Sequence, residues 1–428
     1  MSDHQLLLFL LEIVVLFVAA RIGGELAARI GIPLHVGELV VGMLLGPSLL
    51  GWVWPGAFAA LFPADAVQRS LLEIFSWIGI IFLIILGGLE TRLGVLRSIP
   101  AAVVGGWIGG FGLPFVLGFA LGMFFPDALV PASVDRPVFA LFLATAMSIS
   151  AIPVIARILL DLDLYRTRVG MVILSSAILD DTIGWAVLAV VVGLSSGGVD
   201  TGQVAGMLAL TALFLVAAFT VGRRLVRQSM RFARRLRAPY AELSMMMLLV
   251  FGFGAATQAI GVHLVLGCFV ASILLGRIPP TPETQASIRP VAMGFFVPFF
   301  FAYTGIKVDL TTLRSSALLF AILAVAVACI GKIVGGGLGV RIGGMPKWEA
   351  LAVGFGLNAR GAMELVIAAV GLSAGVLTDA TYAIIVLIAV LTTIIAAPLM
   401  RWSMQRARAV AAGGSEPLRP TEKGAMIA

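Results

Sequence analysis

Apolar segments long enough to cross a membrane follow one another along almost the whole chain, and they constrain its fold more than any other feature. Of the 428 residues, 60% are hydrophobic and only 12% are charged, whereas about a quarter of the residues in a soluble domain are charged. Since a membrane-crossing helix needs about 20 apolar residues, we predict an all-α polytopic membrane protein of about 13 transmembrane helices. The predicted spans are residues 5–22, 33–51, 71–90, 99–125, 137–160, 167–194, 203–225, 240–260, 262–277, 287–306, 315–341, 348–372 and 379–401.

The basic residues predict how these spans are oriented. With the connections numbered in order, 23 of the 29 lysines and arginines fall on the odd-numbered side, which includes the C-terminal tail, and four on the even-numbered side. Positive residues accumulate on the cytoplasmic side of membrane proteins. We therefore predict a multi-pass protein of the cell inner (plasma) membrane, with its N-terminus outside and its C-terminus in the cytoplasm. This topology accounts for the net charge of +7 without a nucleic-acid partner, so that the lipid bilayer is the expected surrounding.

Two adjacent carboxylates, Asp180 and Asp181, lie in the middle of the sixth predicted span. Because ionised carboxylates at that depth are costly and two neighbouring ones repel each other, we infer that they bind a proton or a small cation. Adjacent helical side chains point about 100° apart, so one carboxylate is expected to face the ion path and the other a fixed partner. Lys332, deep in the eleventh span, is the candidate partner. The alternative is that its ammonium group reaches the cytoplasmic interface.

The fifth and twelfth predicted spans are interrupted. Pro153 disfavours helix in the fifth span, and three glycines weaken the helix of the twelfth. The spans are seven apart and therefore enter the membrane from opposite sides, as the discontinuous helices of inverted-repeat transporters do. The alternative is that proline and glycine are simply common in membrane helices. We predict a site between the two interruptions that includes Thr145, Ser148, Ser150, Asn358, Arg360 and Glu364.

Other ionisable residues have structural explanations beside functional ones. Arg360 and Glu364 are four residues apart on one helix face, which suits an ion pair that neutralises the interruption or, alternatively, a charge gate in the cation path. For the seven arginines between residues 223 and 237, an anchor of the topology is favoured over a binding site for anionic lipid head groups. Four acidic residues near span ends are assigned mainly interfacial or structural roles: Glu12, Glu38, Glu73 and Glu90. Two histidines, His35 and His263, lie at span boundaries, and this position is favoured as their explanation over a role as pH sensors.

Four longer strings of residues carry a resemblance to a known family. They are Ser-Ala-Ile-Leu-Asp-Asp-Thr-Ile-Gly-Trp (176–185), which follows Ser-Ile-Ser-Ala-Ile-Pro-Val-Ile-Ala-Arg-Ile-Leu (148–159), then Val-Gly-Glu-Leu-Val-Val-Gly-Met-Leu-Leu-Gly-Pro-Ser-Leu-Leu-Gly (36–51), and Asn-Ala-Arg-Gly-Ala-Met-Glu-Leu (358–365). Together they resemble the monovalent cation:proton antiporter superfamily, and most closely its Kef-type, sodium/hydrogen-exchanger-like branch. The similarity extends from about residue 5 to residue 401.

The resemblance implies a particular division of the chain. A transmembrane domain at 1–401 would contain a scaffold that forms a homodimer and a mobile core that moves as an elevator, the core including about 99–194 and 315–401. Residues 402–428 are expected to form a short, disordered cytoplasmic tail. Long Kef-type proteins carry a soluble nucleotide-binding domain at this position, so gating through such a domain is not expected in this chain.

The resemblance also implies roles for individual residues. Asp181 matches the carboxylate that binds the ion and the proton in the family. Asp180 matches its neighbour, which pairs with a lysine in members with two adjacent aspartates, and Lys332 matches that lysine. Ser150 and Thr145 match small polar residues at the first interruption.

We therefore predict a secondary antiporter that exchanges Na⁺ or K⁺ for protons, with both competing for the aspartate pair and the cation bound there only transiently. No cofactor and no enzymatic activity are expected, because the sequence contains no hydrolase triad, phosphate loop or metal-ligand set. Two alternatives stay open, a sodium-coupled organic anion symporter of similar inverted-repeat architecture and a cation channel. The aspartate pair with Lys332 is typical of electrogenic relatives and Arg360 of electroneutral ones, so the stoichiometry also stays open.

Overall fold

Helices make up most of the described chain. The computed structural model describes residues 2–63, 65–90, 101–150, 154–155, 158–159, 162–165, 167–195, 201–260, 264–278, 280–313 and 316–411, and no β-strand occurs within these ranges. The α-helices are α1 (Asp3–Arg29), α2 (Leu34–Leu45), α3 (Leu50–Val53), α4 (Pro55–Leu61), α5 (Ala66–Glu90), α6 (Ala101–Met123), α7 (Arg136–Ser148), α8 (Arg168–Ser195), α9 (Thr201–Ala217), α10 (Arg223–Ala233), α11 (Ala241–Ala259), α12 (Leu264–Gly276), α13 (Pro282–Val291), α14 (Val297–Ile306), α15 (Ser316–Ile342), α16 (Lys347–Leu357), α17 (Ala362–Ser373) and α18 (Asp379–Ala411).

The helices coincide with the predicted spans. Within the described residues, nine helices are long and apolar enough to cross a membrane, and shorter apolar helices lie at Arg136–Ser148, Leu264–Gly276 and Met363–Ser373. Each predicted span overlaps at least one helix. The all-α membrane fold is therefore confirmed, while the number of thirteen spans stays a prediction.

Helices end at both predicted interruptions. The helix α7 ends at Ser148, because Ile149 is extended, with φ −79° and ψ 146°. Pro153, to which we attributed this interruption, lies outside the described residues. In the twelfth span, α16 ends at Leu357 and α17 begins at Ala362, after an extended Gly361 with φ 172° and ψ −131°.

Glycines bring α6 and α15 into backbone contact. Gly331, Gly335 and Gly339 recur every fourth residue and therefore share one face of α15. A Cβ atom added at Gly109 of α6 would overlap the carbonyl oxygen of Gly335, and one added at Gly105 would overlap that of Gly339. Small residues at such spacing allow membrane helices to approach closely. This seam fixes the height and rotation of α15, and with them the position of Lys332.

A large cluster of buried apolar residues joins α5 and α14 to α7 and α17, and two smaller clusters fall on different sets of helices. One cluster joins α6, α8, α15, α16 and α18 and includes Val103, Ile173 and Val353. Another joins α1, α5 and α14 and includes Leu16 and Phe299. The first set of helices corresponds to the predicted mobile core and the second to the predicted scaffold. The division into these domains stays a prediction.

Replacing Gly109 with alanine is expected to destabilise the protein, because the new methyl group would push α6 away from α15. Overpacking of this kind costs about 1–3 kcal/mol, and the melting temperature of the purified protein in detergent should fall accordingly. Gly112→Ala is the matched control on the same helix, since a Cβ atom there meets nothing within 4 Å. Equal melting temperatures for the two variants would contradict the close contact.

Candidate functional site

The centre of the candidate site is a buried triad of Asp180, Lys332 and Ser150. The Lys332 Nζ atom lies 2.8 Å from Asp180 Oδ2 and 2.7 Å from Ser150 Oγ. Ser150 Oγ lies 2.7 Å from the same Asp180 oxygen. All three residues are fully buried. Each buried charge is therefore compensated by its partner, and removing one partner would leave the other uncompensated.

Ser150 links this triad to the end of a half-helix. Its hydroxyl group also lies 2.9 Å from the carbonyl oxygen of Leu357, the last residue of α16. The last carbonyl groups of a helix lack partners within the helix and carry partial negative charge. Since Ser150 has a single hydroxyl proton, it donates to Asp180 or to Leu357 at any moment, but not to both. Ser150 therefore connects the Lys332–Asp180 pair to the partly negative end of α16.

Arg360 makes the corresponding contacts at the end of the other half-helix. Its Nη1 atom donates to the Ala146 carbonyl oxygen at 2.9 Å, and its Nη2 atom donates to that of Met147. Both carbonyl groups belong to the last turn of α7. Arg360 Nη1 also lies 2.9 Å from Glu364 Oε1. Each interruption is thus capped by a side chain from the other, and the two interrupted helices cross at this point.

The backbone of the second interruption is held by a residue that the sequence analysis did not find. Arg360 N donates to Thr393 Oγ1 at 3.2 Å, and Thr393 Oγ1 donates back to the Arg360 carbonyl oxygen at 2.5 Å. Thr393 belongs to α18. A threonine in an apolar span ordinarily bonds its own helix, so its sequence context carries no signal of this contact.

Two of the predicted polar residues are not directed at the crossing. Thr145 Oγ1 donates to the Leu141 carbonyl oxygen at 2.7 Å, and Ser148 Oγ donates to that of Ala144 at 2.7 Å. Each hydroxyl group is therefore satisfied by the preceding turn of α7. In the second interruption, Asn358 Nδ2 lies 3.7 Å from Cys329 Sγ.

Unpartnered oxygen atoms remain at the crossing. Asp180 Oδ1, Asn358 Oδ1 and Glu364 Oε2 are buried and have no hydrogen-bond partner among the residues that the structure describes. Hard cations take oxygen ligands, and a carboxylate oxygen also accepts a proton. Asp181 follows Asp180 on α8, but its side chain lies outside the described residues. The arrangement suits either a cation or a proton.

The other charged residues have varied surroundings. Glu12, for which we predicted an interfacial or structural role, has a fully buried side chain in α1. Glu73 lies 3.5 Å from Lys307, in line with a structural role. His35 packs against Phe301 with ring centroids 5.3 Å apart. Glu38 is buried with 4% exposure, whereas His263 and the side chain of Glu90 lie outside the described residues.

In the arginine-rich segment, α10 buries Val226 and Met230 against the protein. Arg223 and Arg231 on the same helix are exposed. Arg234 Nε lies 2.8 Å from Glu242 Oε1, which ties the segment to the first turn of α11. Whether the segment serves as a topology anchor or as a lipid site stays a matter of prediction.

Comparisons with known proteins agree on one family. The sequence matches the family described as sodium/hydrogen exchanger, transmembrane, over residues 13–405. It is 34% identical over 405 residues to the Na⁺/H⁺ antiporter NhaS4 of Synechocystis sp., a match that covers 94% of this chain and 98% of NhaS4. It is 32% identical over 435 residues to Cation/H⁺ antiporter 18 of Arabidopsis thaliana. That match covers 98% of this chain but 52% of the plant protein, so the chain spans about half of its length.

A solved structure shares the fold. The sodium proton antiporter MjNhaP1 from Methanocaldococcus jannaschii superposes with a TM-score of 0.63 at 16% sequence identity. The superposition covers 96% of this chain and 100% of that one. The likeness is one of fold and extends over almost the whole chain.

Ser150→Ala is expected to lower the melting temperature, because Lys332 and Asp180 each lose a buried hydrogen bond. The loss corresponds to about 1–3 kcal/mol of stability. Ser148→Ala is the matched control, since that hydroxyl group bonds only the preceding turn of its own helix and contributes little. Thermal melts in detergent compare the two, and an equal effect of both substitutions would contradict the bridging role of Ser150.

Lys332→Met is expected to cost about 3–5 kcal/mol, because it leaves the Asp180 carboxylate buried without its cation. Adding Asp180→Asn should restore most of that loss, since the remaining charge is then removed as well. A double-mutant cycle of melting temperatures measures this coupling. Additive effects of the two substitutions would show that the pair is not coupled.

Proposed function

Because the chain belongs to the sodium/hydrogen exchanger family, we propose that the crossing of its two interrupted helices is where a monovalent cation and protons compete. The protein is a membrane antiporter that exchanges cations for protons. The observation that carries the proposal for the site is the fully buried Asp180 carboxylate, held 2.8 Å from Lys332 Nζ at the end of a half-helix. A carboxylate in this position must either be compensated by a cation or take up a proton. Asp181, next along α8, is assigned to bind the cargo.

The two aspartates have different roles in the proposed exchange. Asp180 keeps Lys332 as its fixed partner, while the adjacent Asp181 alternates between a proton and Na⁺ or K⁺. A positive cargo near Asp181 also raises the electrostatic cost of the Lys332 charge, because two positive charges repel each other strongly in a buried site. Loading a cation therefore favours release of protons from the same site. This competition produces exchange rather than net uptake.

The charges at the half-helix ends support cation transport over transport of an organic anion. An anion-binding crossing would present free N–H groups at the start of a half-helix. Here the first turn of α17 carries Glu364, which is paired with Arg360. An incoming organic carboxylate would meet that negative side chain. The family membership and the antiporter names of the relatives also favour exchange over a sodium-coupled anion symporter or a cation channel.

The remaining features of the proposal follow from the topology. The core would contain about 99–194 and 315–401 and carry the crossing as one rigid piece past a dimeric scaffold. The chain would lie in the cell inner membrane, with its N-terminus outside and its C-terminus in the cytoplasm. Reciprocal capping of the two half-helices supports a rigid core, because Arg360 and Ser150 fasten the interruptions to each other.

Asp181→Asn is expected to abolish exchange while leaving expression intact, because an amide cannot alternate between a proton and a cation. Proton flux into proteoliposomes is followed with a pH dye after addition of Na⁺, K⁺ or Li⁺. Asp127→Asn is the matched control, since the Asp127 side chain is 97% exposed and its surface ion pair with Arg136 contributes little. Normal exchange by Asp181→Asn would rule out the proposed role of this carboxylate.

Acidification is expected to raise the KM for the cation while leaving the maximal rate at saturating cation largely unchanged. Protons and cations compete for the same carboxylate, and a ligand that must be deprotonated binds its cation more weakly at low pH. For displacement of one proton, the KM should rise about tenfold per pH unit once the site is mostly protonated. The measurement is initial rate against cation concentration at several pH values. A KM that does not change with pH would argue against a shared site.

A further inference from the structure

A cavity lies away from the crossing, between helices of the proposed scaffold and the proposed core. Its volume is about 570 Å³, and its walls come from α1, α5 and α14 on one side and from the end of α17 and the start of α18 on the other. In the predicted topology, the ends of these helices that meet here face the outside. The cavity therefore lies at the outer mouth of the crevice between the two sets of helices.

Three unpartnered oxygen atoms line this cavity. Glu12 is fully buried, and neither of its carboxylate oxygens has a hydrogen-bond partner among the described residues. Gln68 is 1% exposed. Its Nε2 atom donates to the Gln5 carbonyl oxygen at 3.0 Å, whereas its Oε1 atom has no partner within the same described part of the chain. Both residues belong to the cavity wall.

Glu12 lies where a carboxylate is costly. It is nine residues beyond the start of α1, which corresponds to about 13 Å along the helix. Its neighbours in the cavity wall include Leu72 and Tyr303, which belong to the apolar cluster of α1, α5 and α14. A buried carboxyl group without a partner must take up a proton or a cation.

The basic residues of the cavity have surroundings other than Glu12. Lys307 Nζ lies 3.5 Å from Glu73 and 4.7 Å from the centre of the Tyr303 ring. Arg69 is exposed, so its charge is screened by solvent. Asp309 and Asp379 add two more carboxylates to the lining. Four acidic side chains thus face two basic ones, and a cavity with an excess of negative charge concentrates cations.

We propose that Glu12 and Gln68 form a second binding site for a monovalent cation, Na⁺ or K⁺, in this outer cavity. The ligands would be carboxylate and amide oxygens, the donor types that hard cations prefer. The site is distinct from the crossing, because its residues lie on α1 and α5, whereas the crossing is built from α7, α8, α15, α16 and α17. Binding at this second site does not require exchange.

The test is cation-dependent thermal stability in the Asp181→Asn background, in which cargo binding at the crossing is removed. Melting temperatures in detergent are recorded with NaCl, with KCl and with choline chloride at equal ionic strength. A ligand that binds only the folded protein raises its stability. We expect Na⁺ or K⁺ to raise the melting temperature of Asp181→Asn above its value in choline. Adding Glu12→Gln should abolish this shift.

Glu25→Gln in the same background is the matched control, since Glu25 is exposed on the same helix and pairs with Arg29. It should leave the cation response unchanged. Gln68→Leu should raise the half-saturating cation concentration by roughly three- to tenfold, as expected for the loss of one neutral ligand.

Three results would overturn the proposal. These are the absence of any cation response in Asp181→Asn, a response that persists after Glu12→Gln, and a stability that rises only with acidity, which would make Glu12 a protonated structural carboxyl group. Because the readout is binding, it stays informative even where the proposed exchange at the crossing fails.

Discussion

The rest of this structure depends on the ion pair between Lys332 and Asp180, buried together with Ser150 at the end of a half-helix. A charge at this depth persists only beside an opposite one, so both side chains must be placed to within hydrogen-bonding distance. The glycine seam between α6 and α15 places the lysine, and the continuous helix α8 places the aspartate. The interruptions in turn expose carbonyl groups, which Arg360 and Ser150 cap. The packing of the helices and the electrostatics of the site therefore depend on each other.

The two half-helices also stabilise each other. Arg360 caps the end of α7, and Ser150 contacts the end of α16. Each interruption would otherwise leave bare carbonyl groups in an apolar medium, where unsatisfied backbone groups are expensive. Reciprocal capping removes this cost without filling every acceptor, since Asp180 Oδ1 and Asn358 Oδ1 remain unpartnered within the described residues. A site that must release its cargo benefits from such partial satisfaction, because a cargo bound by every available ligand would leave slowly.

Much of this arrangement could be predicted from the sequence, and the remainder could not for identifiable reasons. The lengths of the apolar segments predicted where the helices lie, because a helix needs about 20 apolar residues to cross a bilayer. Charged residues inside apolar spans directed attention to the aspartate pair and Lys332. The family resemblance then paired Lys332 with Asp180, and the two side chains lie 2.8 Å apart. Capping of Ala146 by Arg360 acts through a main-chain carbonyl group, which has no signature in the sequence. The burial of Glu12 depends on how α5 and α14 pack around α1, and position along the chain gives no indication of it.

The central claim is that the Asp181 carboxylate exchanges protons for a cation, and the release of protons on cation binding tests it most directly. Na⁺ or K⁺ is added to the purified protein in weakly buffered detergent solution, and the released protons are counted with a pH dye or by calorimetry in buffers of different ionisation enthalpy. The account predicts release of about one proton or more per bound cation in the wild type at a pH where the site is protonated, and none from the crossing in Asp181→Asn. Cation binding at the crossing without proton release would contradict it.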